Sequence, residues 1–224
     1  MNSNIVKLAS CLALLVVPST ASAQLGGLGG LVKKGLGGDS GVSGDEAEQF
    51  LTGAFQSTKN VMIAAALISD AVRVQKDATS SKIKRDALLG AQTSGELESQ
   101  LSNFQSDVQV LNTIASDAAP LDAAYKAGNA EQKKMLGIAL VNLAIGIARN
   151  VELAGKAPGA VSAVGRNPKL LSRAGQFKAA AKLIGLQTKS LTGFAASLPK
   201  LMAAAKVKAP AKAEASTFTA ISSL

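Results

Sequence analysis

Histidine is absent from this chain, so the commonest general base and the commonest metal ligand are both missing. A Ser-His-Asp triad and a histidine-based metal centre are excluded by that absence alone. The single cysteine, Cys11, lies inside an apolar N-terminal run that reads as an export signal. With that run removed, no thiol nucleophile, thiolate zinc site or iron–sulfur ligand remains. Paired carboxylates of the kind a glycosidase uses are still available in principle. However, Asp45, Glu46, Glu96 and Glu98 fall in the first turns of expected helices, where the helix dipole accounts for them. Ser80-Ser81-Lys82 has the residue types for Ser/Lys catalysis without a distinctive context. Gly26-Gly27-Leu28-Gly29-Gly30 lacks the preceding strand and the following Gly-Lys-Ser/Thr of a phosphate loop, and no EF-hand pattern occurs. The expectation is a protein that is not an enzyme and holds no cofactor or metal.

Binding chemistry is better represented. Residues 24–152 carry 12 basic and 14 acidic side chains, a net of −2, whereas residues 153–224 carry 11 basic side chains against Glu214 alone, a net of +10. Such a split points the C-terminal third at something anionic: lipid headgroups, lipopolysaccharide, an acidic polysaccharide or an acidic protein. Nucleic acid is not expected, because aromatic residues for base stacking make up only 3% of the chain. The candidate anionic-surface residues are Lys169, Arg173, Lys178, Lys182 and Lys189, in or beside one expected helix. At about 100° per residue, Leu170, Ala174, Phe177, Ala181 and Ile184 form an apolar stripe on that helix. Lys169 and Arg173 border the stripe on one side, and Lys178 and Lys182 on the other. Lysines so placed can lay their stems beside an apolar face while the charged heads reach a lipid surface. Equally, the stripe can pack into a core and leave the lysines in water, some of them pairing with the acidic first half.

The elements that must position these groups are helical. Few aromatics and abundant Ala and Leu argue against a sandwich or barrel and for helices packed closely through small side chains. Residues 1–23 form the signal: Lys7, the apolar stretch Leu8 to Val17, Pro18, and Ala21-Ser22-Ala23 before a cleavage point that leaves Gln24 first. Leu8-Ala9-Ser10-Cys11 resembles a lipobox, but the apolar run would then lie mostly after the cut. Residues 24–44 read as a Gly-rich flexible leader with Leu-Gly-Gly three times.

Ser43 and Glu46 make a capping box, and Leu51, Phe55, Thr58, Met62, Ala65 and Val72 then recur at helical spacing to about Ala78. A short helix follows over Ile83 to Leu89. Leu97, Leu101, Phe104, Val108, Leu111 and Ala115 form the most regular seam, in one helix that starts at Ser94 and is barred by Pro120. Asn129 with Gln132 opens the next helix, whose Met135 to Ala148 run contains no charge and which Gly155 would close. A helix apolar all round is a core helix or a membrane element. Asn167-Pro168 caps another helix, with a kink expected at Gly185, and Pro199 starts a last short one to about Val207.

The expected architecture is therefore all-α: one antiparallel bundle of about five or six helices over residues 45–207, with the Gly-rich leader before it and a tail over 208–224. The expected role is that of an exported binding or structural component of the bacterial envelope, periplasmic or secreted. The alternative is a membrane-active protein that docks on anionic lipid through its basic third and inserts the apolar Met135 to Ala148 hairpin.

Overall fold

The computed structural model describes residues 42–73 and 78–208, and every regular element in them is helical. The expected signal, the leader up to residue 41 and the tail from residue 209 lie outside the described residues. The helices are α1 (Gly44–Val72), α2 (Ala78–Gly90), α3 (Ser94–Glu98), α4 (Leu101–Ser116), α5 (Ala119–Ala127), α6 (Ala130–Arg166), α7 (Ala174–Ala195) and α8 (Leu198–Ala204). A 3-10 turn over Pro168–Arg173 leads into α7.

Two helix starts follow directly from local chemistry. At α1 the Ser43 hydroxyl accepts the Glu46 N–H at 3.2 Å, and the Glu46 carboxylate accepts the Ser43 N–H at 2.8 Å. The bond from the Ser43 N–H, with the Ser43 hydroxyl beside it, holds the Glu46 carboxyl below its usual range. At α6 the Asn129 and Gln132 side chains make the same reciprocal exchange, both bonds at 2.9 Å.

Among the described residues eight helices stand where about five or six were expected. The seam from Leu97 to Ala115 is divided at Ser99–Gln100 into α3 and α4, yet Leu97, Phe104, Val108 and Leu111 all stay buried. Pro120 does not merely end a helix. It occupies the first turn of α5, where a proline loses no hydrogen bond, and just before that turn the Asp117 carboxylate accepts the Ala119 N–H at 2.9 Å. α6 does not stop at Gly155 but runs to Arg166 with Pro158 inside it. Gly155 and Pro158 sit on its exposed side, while Ala157, Ala160 and Val164 are buried. Packing along that face outweighs the local cost of proline and glycine. α7 likewise passes through Gly185 without a break. α1, in contrast, ends early: Arg73 turns to extended backbone while its N–H still bonds the Ser69 carbonyl.

α1, α6 and α7 carry two apolar clusters. One joins Ala47, Phe50 and Ala54 of α1, Ala157, Ala160 and Val164 of α6, and Phe177, Ala180 and Ile184 of α7. The other joins Val61, Ala65 and Ile68 of α1 with Leu136, Leu140 and Leu143 of α6 and Leu191 and Phe194 of α7, and it extends to Leu97, Phe104, Leu111, Leu121 and Leu198. Between them lies a buried polar belt. Ser57 Oγ donates to Asn150 Oδ1 at 2.6 Å, Asn150 Nδ2 donates to Gln187 Oε1 at 2.6 Å, and Gln187 Nε2 donates to the Thr58 carbonyl at 3.2 Å. One chain of hydrogen bonds thereby ties all three long helices in a single register.

Among the described residues, α6 alone is long and apolar enough to cross a membrane by length and composition, and 56% of its most apolar window is buried inside the protein. No residue from Met135 to Ala148 is exposed.

Candidate binding surfaces

The five cations expected to form an anionic-surface site do lie along the 3-10 turn and α7, but they are not equivalent. Lys169 is exposed in the turn, whose start is fixed by Asn167 Oδ1 accepting the Lys169 N–H at 3.0 Å. Arg173 is half-buried. Its Nη1 pairs with Glu48 of α1 at 3.1 Å, and its Nε donates to Gln176 at 3.4 Å. Lys182 pairs with Glu98 of α3 in a short charge-assisted contact. Lys178 and Lys189 are exposed. Among the described residues, ion pairs thus take up Arg173 and Lys182 and leave the other three outside them.

Lys178, Lys182 and Lys189 fall within about 40° of one another around α7 and form one outward row. The opposite side is wholly committed to the core: Phe177, Leu183, Ile184, Leu191 and Phe194 are all buried. Leu170 and Phe177 of the expected stripe are buried, and Ala174 and Ala181 are partly so. Leu171, at 55% exposure, is the apolar side chain left outside, in the 3-10 turn between Lys169 and Arg173. The apolar stripe is therefore spent on bundle packing, and what α7 offers a partner is charge.

A second constellation, not anticipated from the sequence, gathers where α1 ends beside α2 and α4. Lys84 Nζ donates to Asp107 at 3.0 Å and to Asp70 at 3.3 Å. Arg85 Nη1 donates to the other oxygen of Asp70 at 2.9 Å. Arg73 Nη2 donates to Ser106 Oγ at 2.9 Å and to Asp107 at 3.3 Å. Asp107 is 1% exposed, and burial pushes its carboxyl above the ordinary range in spite of Lys84 and Arg73 beside it. α2 is further held by Lys59 of α1, whose Nζ donates to the Leu89 and Ala91 carbonyls at 2.7 and 2.9 Å. Burial lowers the Lys59 pKa.

Asp70, Arg73, Lys84 and Asp107 of this constellation floor a cleft of about 500 Å³, walled by Ser80, Ser81, Ile83, Gln100 and Asn103 among others. No family model, curated protein or solved structure matches this chain. What the cleft can do must be read from its own groups.

Ser80 and Ser81 do line it, but the neighbouring Lys82 points elsewhere, into an exposed pair with Asp86 at 2.6 Å. The lysine that does face the cleft, Lys84, is engaged by two carboxylates, Asp70 and Asp107, rather than by either serine. Among the described residues no three His, Cys, Asp or Glu side chains are grouped to hold a metal. One signal for the site was present in the sequence. Asp107 is three residues after Phe104 and four before Leu111, a core-facing place where an acid must find partners.

Proposed function

We propose that this chain is an exported, non-enzymatic component of the bacterial envelope, a helical bundle that binds an anionic partner through the outward row of α7. Export rests on Lys7, the Leu8 to Val17 run and Ala21-Ser22-Ala23. The observation that carries the binding reading is the division of α7 between a fully buried apolar side and the exposed row Lys178, Lys182 and Lys189. From residue 153 to residue 208 there is no acidic side chain to neutralise that row from its own segment. The antiparallel arrangement belongs to the same reading. It is supported by the order of the clusters, since α1 and α7 run from the Phe50–Phe177 cluster to the Ile68–Phe194 cluster while α6 meets them in reverse.

Binding of this kind is electrostatic. Each lysine close to an anionic surface contributes up to ~1 kcal/mol, fading within a Debye length of about 8 Å at physiological salt. The purified protein should cosediment with vesicles containing phosphatidylglycerol at low salt and release as salt rises. Lys169→Gln, Lys178→Gln and Lys189→Gln together spare both ion pairs and should abolish cosedimentation without changing helicity. Indifference of the wild type to anionic vesicles and to acidic polysaccharide at low salt would refute the binding reading. Binding that persists at high salt would favour the inserting alternative, for which α6 would have to leave its packing against α1 and α7.

A further inference from the structure

The cleft enclosed by α1, α2 and α4 is separate from the α7 row, since none of that row's lysines lines it. Arg73 and Lys84 meet Asp70 and Asp107 along its lining, and Arg85 reaches Asp70 from outside that lining, so the wider ion network carries three cations against two carboxylates. The distribution of that charge matters more than its sum. Lys84 is 10% exposed and committed to both acids. Arg73 is different: its contacts to Ser106 and Asp107 both use Nη2, and its side chain keeps 34% exposure at the cleft wall. The guanidinium is thus gripped at one end by a buried acid while the remainder of its planar fork is not committed to that grip. A guanidinium fixed in this way matches the two oxygens of a carboxylate or phosphate with little further loss of entropy.

The walls narrow the ligand class. Ser81, Gln100, Asn103 and Ser106 supply neutral hydrogen-bonding groups, and Ile83, at 64% exposure, supplies an apolar edge. Among the described residues that line it there is no aromatic ring, so a nucleobase has no stacking platform. The volume of about 500 Å³ lies in the range of small-molecule sites. We propose that this cleft is a receptor for a small hydroxylated metabolite bearing one oxyanion group, carboxylate or phosphate, which pairs with Arg73 and lies against Gln100 and Asn103.

The reading goes beyond the surface binding proposed above and is tested apart from it. Calorimetric titration of the purified chain at low ionic strength would use glucuronate, glucose 6-phosphate and uncharged glucose as probes. Saturable binding of at least one anion and none of glucose is expected, with the preferred anion identifying the oxyanion. Arg73→Gln should weaken that binding at least tenfold. Asn103→Leu, at an exposed position outside the ion network, should weaken it similarly while circular dichroism and thermal midpoint stay at wild-type values. The variant with Lys169, Lys178 and Lys189 all replaced by Gln should bind as the wild type does. The proposal is overturned if neither anion binds, if glucose binds equally well, if both cleft variants bind unchanged, or if the α7 variant loses the binding instead.

Discussion

Replacing Asn150 with alanine interrogates the buried belt that aligns α1, α6 and α7. Asn150 is 1% exposed and makes two hydrogen bonds of 2.6 Å, accepting from Ser57 Oγ and donating to Gln187 Oε1. Asn150→Ala removes both. Ser57 keeps only a long 3.5 Å approach to the Gly146 carbonyl, and Gln187 Oε1 is left without its donor in the interior. Each buried polar group stranded in this way costs about 1–3 kcal/mol, so the variant should lose about 2–6 kcal/mol. Against a total stability of about 5–15 kcal/mol, that is a large fraction. Urea denaturation followed by far-UV circular dichroism would report it as a lower midpoint with an unchanged slope. Combining Ser57→Ala, Asn150→Leu and Gln187→Met removes donors and acceptors together and should restore most of the loss, because no group is stranded. A loss below ~0.5 kcal/mol in Asn150→Ala would refute the belt, as would a triple variant less stable than the single one.

Val108→Asp should prevent folding, since it places an unpaired carboxylate at a buried seam position at a cost of several kcal/mol; Leu101→Asp, at a half-buried position, should lose under ~2 kcal/mol and remain folded by circular dichroism. Burial raises the folded-state pKa of Asp107 above its ordinary value of 3.8, so the folded protein holds this proton more tightly than the unfolded chain. This group's contribution to stability should therefore increase as pH falls through its folded-state pKa towards the unfolded value. Asp107→Asn should remove that pH dependence and stay within ~1 kcal/mol of wild type at neutral pH, as measured by denaturation at a series of pH values. Pro158→Ala should raise the thermal midpoint, gaining about 1–3 kcal/mol from a restored helical hydrogen bond on the exposed side of α6. An unchanged or lower midpoint would mean that α6 depends on a distortion at that proline.

Periodicity and capping carried most of the secondary structure. The reciprocal caps at Ser43 and Asn129 and the apolar spacing from Leu97 to Leu111 are short-range patterns whose energetics are complete within a few residues. The sequence by itself also decided the composition-level exclusions: no histidine chemistry, and a C-terminal third with a strong positive excess. Tertiary packing decided whatever depended on competition between local cost and distant contact. Gly155 and Pro158 favour a stop locally, but α1 offers Ala157, Ala160 and Val164 a buried face that outweighs them. The two-sided reading of α7 was undecidable from spacing, because an apolar stripe flanked by lysines fits a lipid surface and a core equally well. Burial of Phe177, Ile184 and Leu191 settles where the stripe goes. The ion cluster, apart from the core-facing place of Asp107, was beyond sequence reasoning for the same reason. Asp70, Lys84 and Asp107 are separated by 14 and 23 residues, and no local rule brings them within hydrogen-bonding distance. Only the closing of α2 over the junction of α1 and α4 does so, and that closing is a property of the packed helices taken together.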